Sequence, residues 1–251
     1  MHKFFVNESN VYDDYAEITG DDVKHIYKVL RLKPEDKVYI NNCNGKEFLG
    51  EITEVSKQNV SVKILEEVEL NNESPIDVYL FQGLPKSSKL ELIIQKGTEL
   101  GLKEITPIIT NRVLSAIKNI DNERKKIERW NKIALEACKQ CKRTLIPKIN
   151  EITEFDKSVD LLKEMDLVLV PYENAEKFGI KKVINDLDKE IKKIGIVIGP
   201  EGGFEEEEID MLKNIEAKII TLGPRILRTE TAGLVAASLI MYELGDLGGN
   251  I

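Results

Sequence analysis

Two glycine-bearing turns near the C-terminus constrain this chain more than any other feature of its sequence. The first is Gly199-Pro200-Glu201-Gly202-Gly203, and the second begins at Leu222-Gly223 and continues to Ala232. Each turn follows an apolar run typical of a strand and precedes a helix-like run. Glycine permits backbone conformations that are closed to other residues, and open α/β sheets bind small molecules at the carboxyl ends of their strands. The two turns therefore predict one crevice that presents backbone amides and carbonyls to a ligand.

The apolar runs predict an α/β fold from Ile76 onward. Strands are predicted over 76–84, 104–110, 166–170, 194–198 and 218–222. Helices are predicted over 87–100, 122–141, 176–191, 205–214 and 230–244. Alternating strands and helices imply a mainly parallel sheet that is covered on both faces.

The first 70 residues instead predict a small β-rich module. Strands are predicted over 3–6, 37–40, 47–55 and 59–65, with one helix over 21–30. Asn44-Gly45 is a strong signal for a tight hairpin turn. The polar run from Glu66 to Ser74 predicts a linker. We therefore expect two domains, over residues 1–70 and 75–251.

Composition bounds the class of protein. The chain has 251 residues, of which 42% are hydrophobic and 32% charged, as in a protein with an ordinary folded core. No apolar leader follows Met1, and the longest apolar stretch is shorter than the roughly 20 residues that span a bilayer. Three cysteines in no framework spacing favour a reducing compartment. These features predict a cytoplasmic protein that is not bound to a membrane.

The charge is segregated along the chain. A net charge of −8 favours a small substrate over nucleic acid. Basic residues nevertheless cluster, with Lys86 and Lys89 close together and a basic run over 124–143, whereas the acidic excess lies elsewhere. Because local clusters of charge, more than net charge, decide which molecules a surface contacts, a polyanionic partner remains an alternative.

Neither glycine turn fits a standard phosphate-binding pattern. The first does not match G-x-G-x-x-G, and no Lys-Ser or Lys-Thr closes it. It could be only a tight strand-to-helix connection. A ligand that is read by backbone groups and is not rich in phosphate fits the turns better.

Arg228 directly precedes the last predicted helix, where the helix dipole disfavours a cation. It could form an ion pair with Glu230, or it could stabilise negative charge that develops on a ligand, which we favour. Thr229 is predicted to cap the helix, with Thr231 near the same crevice mouth. Glu205 to Glu208 is predicted to be a solvated helix start without a chemical role.

Other motifs carry less information. Cys138-Lys139-Gln140-Cys141 has the spacing of half a zinc site, but no second pair completes it, so no metal is expected. His2 and His25 do not support a nucleophilic triad. Small residues in the last helix permit close packing, either within the chain or in a dimer.

Both glycine turns together resemble the ribosomal RNA small subunit methyltransferase E family, within the SPOUT superfamily. The resemblance is carried by Ile198-Gly199-Pro200-Glu201-Gly202-Gly203-Phe204 and by Leu222-Gly223-x-Arg225-Ile226-Leu227-Arg228-x-Glu230-Thr231-Ala232. Upstream matches include Gln95 to Gly101 and His25 to Arg31, so it spans nearly the whole chain.

The resemblance implies a PUA-like β-barrel domain followed by a trefoil-knotted α/β domain, a homodimer, and S-adenosyl-L-methionine as cofactor. It implies methylation of uridine N3 in 16S rRNA of the small ribosomal subunit. From the need to remove the proton on uracil N3, we expect Arg228 to stabilise the resulting anion or to orient a uracil carbonyl, and Glu230 or Glu201 to accept the proton. The implied cofactor-binding residues are Val170, Pro171, Tyr172, Glu173, Ile198, Gly199, Pro200, Glu201, Gly202, Leu222, Gly223, Arg225, Ile226, Leu227, Arg228 and Thr231. The expected RNA contacts are Lys3, Arg31, Lys86, Lys89, Arg112, Arg129 and Arg143.

Three other functions stay open at this point. A related enzyme could act on tRNA or on a ribose hydroxyl. A non-catalytic RNA-binding assembly factor could be built from the same parts. An enzyme acting on a small metabolite would suit the acidic net charge, but the basic clusters and the β-rich module count against it.

Overall fold

The computed structural model describes residues 1–69, 72–86, 88–113, 120–175 and 178–249. The chain forms two compact units. The N-terminal unit comprises residues 1–73 together with 138–146, and the C-terminal unit comprises 74–137 and 147–251. The chain therefore leaves the C-terminal unit once, at the end of a long helix, to complete the N-terminal one.

The N-terminal unit is a β-sheet with one short helix. Its elements are β1 (His2–Phe5), β2 (Tyr15–Thr19), α1 (Asp21–Lys24), β3 (Lys37–Asn41), β4 (Glu47–Val55) and β5 (Asn59–Val68). The sheet order is β1-β3-β4-β5-β2, in which β1 pairs with β3 in parallel and the other pairs are antiparallel. Alternate residues such as Val38, Ile40, Val60 and Val62 are buried in its core, as expected for strands with one face covered.

Two features of this unit differ from the sequence predictions. The predicted helix over 21–30 is α-helical only to Lys24 and continues as a π-helical turn over His25–Leu30. The hairpin predicted at Asn44-Gly45 does join β3 to antiparallel β4, but through a loop over residues 42–46 that is longer than a two-residue turn. In that loop the Asn42 carboxamide oxygen accepts hydrogen bonds from the amides of Asn44 and Lys46, both at 2.9 Å. This side chain supplies a turn that the dipeptide alone does not specify.

The C-terminal unit is a parallel α/β sheet. Its strands are β6 (Asp77–Gly83), β7 (Glu104–Ile109), β8 (Lys148–Ile149), β9 (Thr153–Glu154), β10 (Leu167–Pro171), β11 (Lys193–Ile198) and β12 (Lys218–Ile220). Its helices are α2 (Lys89–Glu99), α3 (Ile120–Cys141), α4 (Phe155–Leu162), α5 (Ile180–Asn185), α6 (Glu206–Asn214) and α7 (Thr229–Glu243). Within the described residues the order is β12-β10-β11-β6-β7-β8, with β9 also beside β7, and each pair is parallel. The predicted α/β class with a mainly parallel sheet is confirmed.

Most predicted elements of this unit form close to their expected positions. Three short elements were missed: β8, β9 and α4. The helix predicted over 176–191 forms only over Ile180–Asn185, and residues 176 and 177 lie outside the described residues. Residue 87, where another helix was predicted to begin, also lies outside them.

The central strands place both glycine turns at the same edge of the sheet. Strands β10, β11 and β12 are parallel and adjacent, and they end at Pro171, Ile198 and Ile220. Strand β6 reaches the first turn directly, because a Cβ atom on Gly83 would lie 2.5 Å from the Pro200 nitrogen. The packing of β6 against the turn therefore requires glycine at position 83.

Candidate active site

A cavity of about 470 Å³ opens at this edge of the C-terminal unit. It is bordered by the loops that follow β10, β11 and β12, together with one side chain from α2. The lining residues are Lys89, Pro171, Tyr172, Glu173, Ile198, Gly199, Pro200, Glu201, Gly203, Phe204, Thr221, Leu222, Gly223, Pro224, Arg225, Ile226, Leu227, Arg228, Thr229 and Ala232. The structure thus brings both glycine turns to one crevice.

Most residues that the sequence assigned to cofactor binding border this cavity. Val170, Gly202 and Thr231 do not. The sequence did not assign to cofactor binding Lys89, Gly203, Phe204, Thr221, Pro224, Thr229 and Ala232, which do border it. The residues next to each motif could have been assigned to the cavity from their position in the two turns. Lys89 lies more than one hundred residues away along the chain and was assigned to RNA binding instead.

Thr229 joins the two turns. Its hydroxyl donates a 2.6 Å hydrogen bond to the Gly199 carbonyl and accepts a 2.8 Å hydrogen bond from the Gln82 amide nitrogen. Thr229 is only 7% exposed, so both bonds are shielded from water. The predicted role of Thr229 as N-cap is wrong, because Arg228 is the cap residue and Thr229 is the first helical residue. The Thr229 hydroxyl makes both of its hydrogen bonds across the site and therefore does not cap the helix.

Lys89 joins two carboxylates at the cavity. Its ammonium lies 3.0 Å from Glu201 Oε1, on the first glycine turn, and 3.3 Å from Glu230 Oε2, in the first turn of α7. The backbone amide of Lys86 also donates to Glu201, at 3.1 Å. Three segments of the chain, α2, the first turn and α7, therefore meet at one cation. Glu230 itself does not border the cavity.

The Lys89 cluster favours ionised Glu201. Burial on its own raises the pKa of the Glu201 carboxyl. Hydrogen bonds from Lys89 and from backbone amides outweigh burial, so the pKa lies below its usual value. The pKa of Lys89 is raised, chiefly by its hydrogen bond to Glu201. Glu201 is therefore a carboxylate at neutral pH and a weak base.

Arg112 supports the first glycine turn from outside. Its guanidinium makes two bonds to Glu205, at 2.8 and 3.0 Å, and one to the Gly202 carbonyl, at 2.7 Å. Glu205 and Glu208 form a capping box on α6, and Glu208 is buried and accepts the Asn111 amide at 2.8 Å. The expectation of a wholly solvated helix start is therefore wrong for Glu208. These bonds fix the turn to the start of α6.

Arg228 and Arg225 are the cations of the second turn. Both border the cavity and are exposed. In the part of the chain that the structure describes, neither makes an ion pair. The pairing of Arg228 with Glu230 that the sequence left open does not form, because Glu230 binds Lys89 instead. Arg228 therefore keeps its donors for a ligand.

The residues expected to contact RNA have varied positions. Lys3 pairs with the buried Glu47, and Arg129 pairs with Glu91 at 2.8 Å while 67% of its side chain is exposed. Arg31 and Lys86 are exposed, and the described residues give them no ion pair. Lys89 and Arg112 bind carboxylates in the cavity region, as described above.

Arg143 is the clearest correction among these residues. It is only 5% exposed and donates to Glu73 Oε2 from Nε at 3.0 Å and from Nη2 at 2.7 Å. The other Glu73 oxygen accepts the amides of Thr144 and Leu145, at 2.9 and 3.0 Å. A guanidinium that is buried in this way cannot contact a phosphate. Its role is to hold residues 143–145 in the N-terminal unit.

No group of three or more His, Cys, Asp or Glu side chains in the described ranges could hold a metal ion. Burial raises the pKa of Cys138 to about 12 and that of Cys43 to about 11, so both are protonated thiols at neutral pH. Among the described residues, no helix has both the length and the apolar character needed to cross a membrane.

Comparison with known families gives the class of protein. Residues 72–241 match the model of a family described as an RNA methyltransferase domain. Residues 18–65 match the model of an RNA methyltransferase PUA domain. These matches place the chain among the RNA methyltransferases.

Individual relatives narrow the class. Ribosomal RNA small subunit methyltransferase E of Bacillus subtilis is 38% identical over 258 residues, which cover 100% of both chains. The Neisseria gonorrhoeae protein of the same name, solved with S-adenosyl methionine bound, has a TM-score of 0.84 and 28% identity over 98% of this chain and 99% of that one. A Legionella pneumophila protein solved with the cofactor SAM has a TM-score of 0.83 and 32% identity over 98% of each chain. The chain belongs to the ribosomal RNA small subunit methyltransferase E family, which confirms the resemblance seen in the sequence.

Proposed function

We propose that this protein transfers a methyl group from S-adenosyl-L-methionine to N3 of a uridine in the 16S rRNA of the small ribosomal subunit. The observation that carries the proposal is the single cavity that both family motifs border at the carboxyl edge of the parallel sheet. Relatives that are solved with this cofactor bound support the choice of methyl donor.

The cavity suits a cofactor of this kind. Its volume of about 470 Å³ lies within the usual range for small-molecule sites. At Gly223, where φ is 121°, an added Cβ atom would meet nothing within 4 Å, so the backbone there is open to a ligand. Apolar residues such as Leu222 and Leu227 also border the cavity. These residues would hold the adenosine portion, and Gly199 to Glu201 would hold the remainder.

When bound, S-adenosylmethionine supplies an electrophilic methyl group. The chain's own task is to orient the uracil and to manage the proton on N3. Arg228, exposed and without an ion pair in the described residues, would donate to a uracil carbonyl and stabilise the anion that forms as N3 loses its proton. A cavity wall that aligns the base with the methyl donor supplies the rest of the rate enhancement.

Glu230 is the carboxylate of the two that binds fewer donors, and we assign it as the proton acceptor. Glu201 accepts Lys89 and backbone amides, which lower its pKa and its basicity. Glu230 Oε2 has only the ion pair with Lys89 in the described structure, and 14% of the Glu230 side chain is exposed. Because Glu230 does not border the cavity, the proton would reach it through a water molecule.

The remaining expectations complete the proposal. The N-terminal unit would form a PUA-like barrel that binds RNA, and the C-terminal unit a SPOUT domain whose loops after β11 and β12 form a trefoil knot. The hydrogen bond from Thr229, at the start of α7, to Gly199 joins the segments that follow β12 and β11. We further propose a homodimer that acts in the cytoplasm on the assembled subunit.

The test is methylation of small subunits that lack this modification. The purified protein and labelled S-adenosylmethionine should produce 3-methyluridine, identified by mass spectrometry of the digested rRNA. Arg228→Ala should lower the rate by about 100-fold or more. Lys218→Ala, on the exposed first residue of β12, is the matched control. Methyl groups that appear in tRNA, or on a ribose hydroxyl, would show that the target is different.

A further inference from the structure

The side chain of Ile226 is exposed to solvent where it borders the cavity. It is 86% exposed, more than any other large apolar side chain in the described residues. A lone exposed apolar side chain needs no explanation in general. Here, however, the loop that carries it is anchored at both ends. The Thr221 hydroxyl bonds to the amide and carbonyl of Gly223, each at 3.2 Å, and Thr229 bonds to Gly199 at 2.6 Å.

Two arginines flank this side chain. Arg225 and Arg228 are exposed, border the cavity and have no ion pair among the residues that the structure describes. The other cations near the site differ, because Lys89 and Arg112 each bind a carboxylate. A polyanion that approaches the cavity would therefore meet Arg225 and Arg228 without displacing an acidic side chain. We call Arg225, Ile226 and Arg228 the rim triplet.

The chemistry of the target explains an apolar residue between two cations. N3 lies on the Watson–Crick edge of uracil, so the base must be unpaired or turned out of its stack before it can react. Proteins that unstack bases often insert an apolar side chain beside the base step and neutralise the nearby phosphates with arginine.

We propose that the rim triplet is the surface that receives the RNA strand carrying the target uridine. Ile226 packs against the base next to the extruded uracil, Arg225 contacts a flanking phosphate, and Arg228 faces the uracil. This inference rests on the proposed function. Under this proposal, the RNA contacts nearest the reacting uracil lie on the second glycine turn, whereas Lys89 and Arg112 bind carboxylates.

The test separates RNA affinity from cofactor affinity in the full-length protein. Ile226→Ala should raise the KM for small subunits about tenfold, as expected for a lost stacking contact. Arg225→Ala should have a similar effect and reduce the slope of log affinity against log salt by about one. Calorimetry measures the affinity of both variants for S-adenosylmethionine separately, so that a loss of cofactor binding is distinguished from a higher KM for subunits.

Two matched variants serve as controls. Leu161→Ala removes an apolar side chain that is 44% exposed on α4, away from the cavity. Lys157→Ala removes an exposed cation that is already paired with Glu154. Neither should change the KM for subunits.

Three outcomes would overturn the inference. The first is a KM for subunits that stays unchanged in Ile226→Ala, whatever happens to cofactor affinity. The second is a Lys157→Ala effect equal to that of Arg225→Ala. The third is a fall in molecular mass of Ile226→Ala by light scattering, which would identify a second copy of the chain as the occupant. A wild-type protein that methylates no subunit would refute the proposed function instead, and fluorescence anisotropy with 16S rRNA fragments would still test the rim triplet.

Discussion

Glu73 in the N-terminal unit and Glu201 in the C-terminal unit both bind donors from distant parts of the chain, but they differ in what surrounds them. Glu73 binds Arg143, and the two side chains are 21% and 6% exposed. Glu201 binds Lys89, and the two are 30% and 32% exposed. The Glu73 carboxylate also accepts the backbone amides of Thr144 and Leu145, next to Arg143 in the chain. Glu201 and Lys89 instead border a cavity. The more buried pair, Glu73 with Arg143, therefore stabilises the fold, whereas the more exposed pair, Glu201 with Lys89, lies where a ligand can reach it.

The largest expected effect comes from breaking the buried cluster. Arg143→Ala leaves Glu73 without its cation, and loss of one partner of a buried pair costs about 3 kcal/mol or more. The free energy of unfolding, measured with urea, should fall by this amount. Arg129→Ala, in an exposed pair, should change it little. Equal effects of the two variants would remove the distinction based on burial.

A buried hydroxyl in the C-terminal unit should give the next largest effect. Thr229→Val removes a donor to Gly199 and an acceptor for Gln82, so stability should fall by about 1–2 kcal/mol. Thr110→Val is the matched control, since its hydroxyl is buried without a hydrogen-bond partner among the described residues. If both substitutions cost the same, the bonds between the two turns contribute nothing.

Lys89→Met should change function more than stability. Without the ammonium, two carboxylates face each other and one retains its proton to higher pH. We expect the rate of methyl transfer to fall about tenfold because these groups are misplaced. The acidic limb of the pH–rate profile should also move toward neutral pH. Lys89→Arg should restore most of the rate. Lys103→Met, which breaks a similarly exposed pair with Asp77 outside the cavity, should leave the profile unchanged.

The smallest effect concerns pH in the wild type. The pKa values of Glu201 and Glu205 are both lowered, so their pairs are present above the unfolded-state pKa and are lost only as pH falls through the folded value. Affinity for S-adenosylmethionine should therefore stay flat between about pH 8 and pH 5. Calorimetry that showed a marked loss across this interval would contradict the ionised state assigned to Glu201.

Local patterns were sufficient to predict the main elements of both units and the position of the site. Strand β4 and the helices α3, α6 and α7 begin and end within about two residues of their predicted bounds, because long periodic runs carry a strong signal. Helix α4 could have been found from the spacing of Phe155, Val159 and Leu162, which all lie in the core. Strand β2 is short and forms through its pairing with β5, which a single segment does not encode.

The partners of charged side chains could not be predicted in the same way. Lys89 and Arg143 both looked like surface cations in the sequence. Their carboxylates lie 112 and 70 residues away along the chain. Only the fold decides which of them is buried. The sequence therefore located the cavity from its backbone turns but did not predict the carboxylate partners of Lys89 and Arg143.

The passage of the chain through residues 138–146 affects how such a protein can be dissected or rearranged. A gene cut at position 73 would release an N-terminal fragment that lacks Arg143, Thr144 and Leu145, the donors to Glu73. The remaining fragment would carry a helix end whose natural neighbours are gone. We expect that neither fragment folds on its own, so an exchange of the N-terminal unit among relatives would require two coordinated replacements, of residues 1–73 and of residues 138–146.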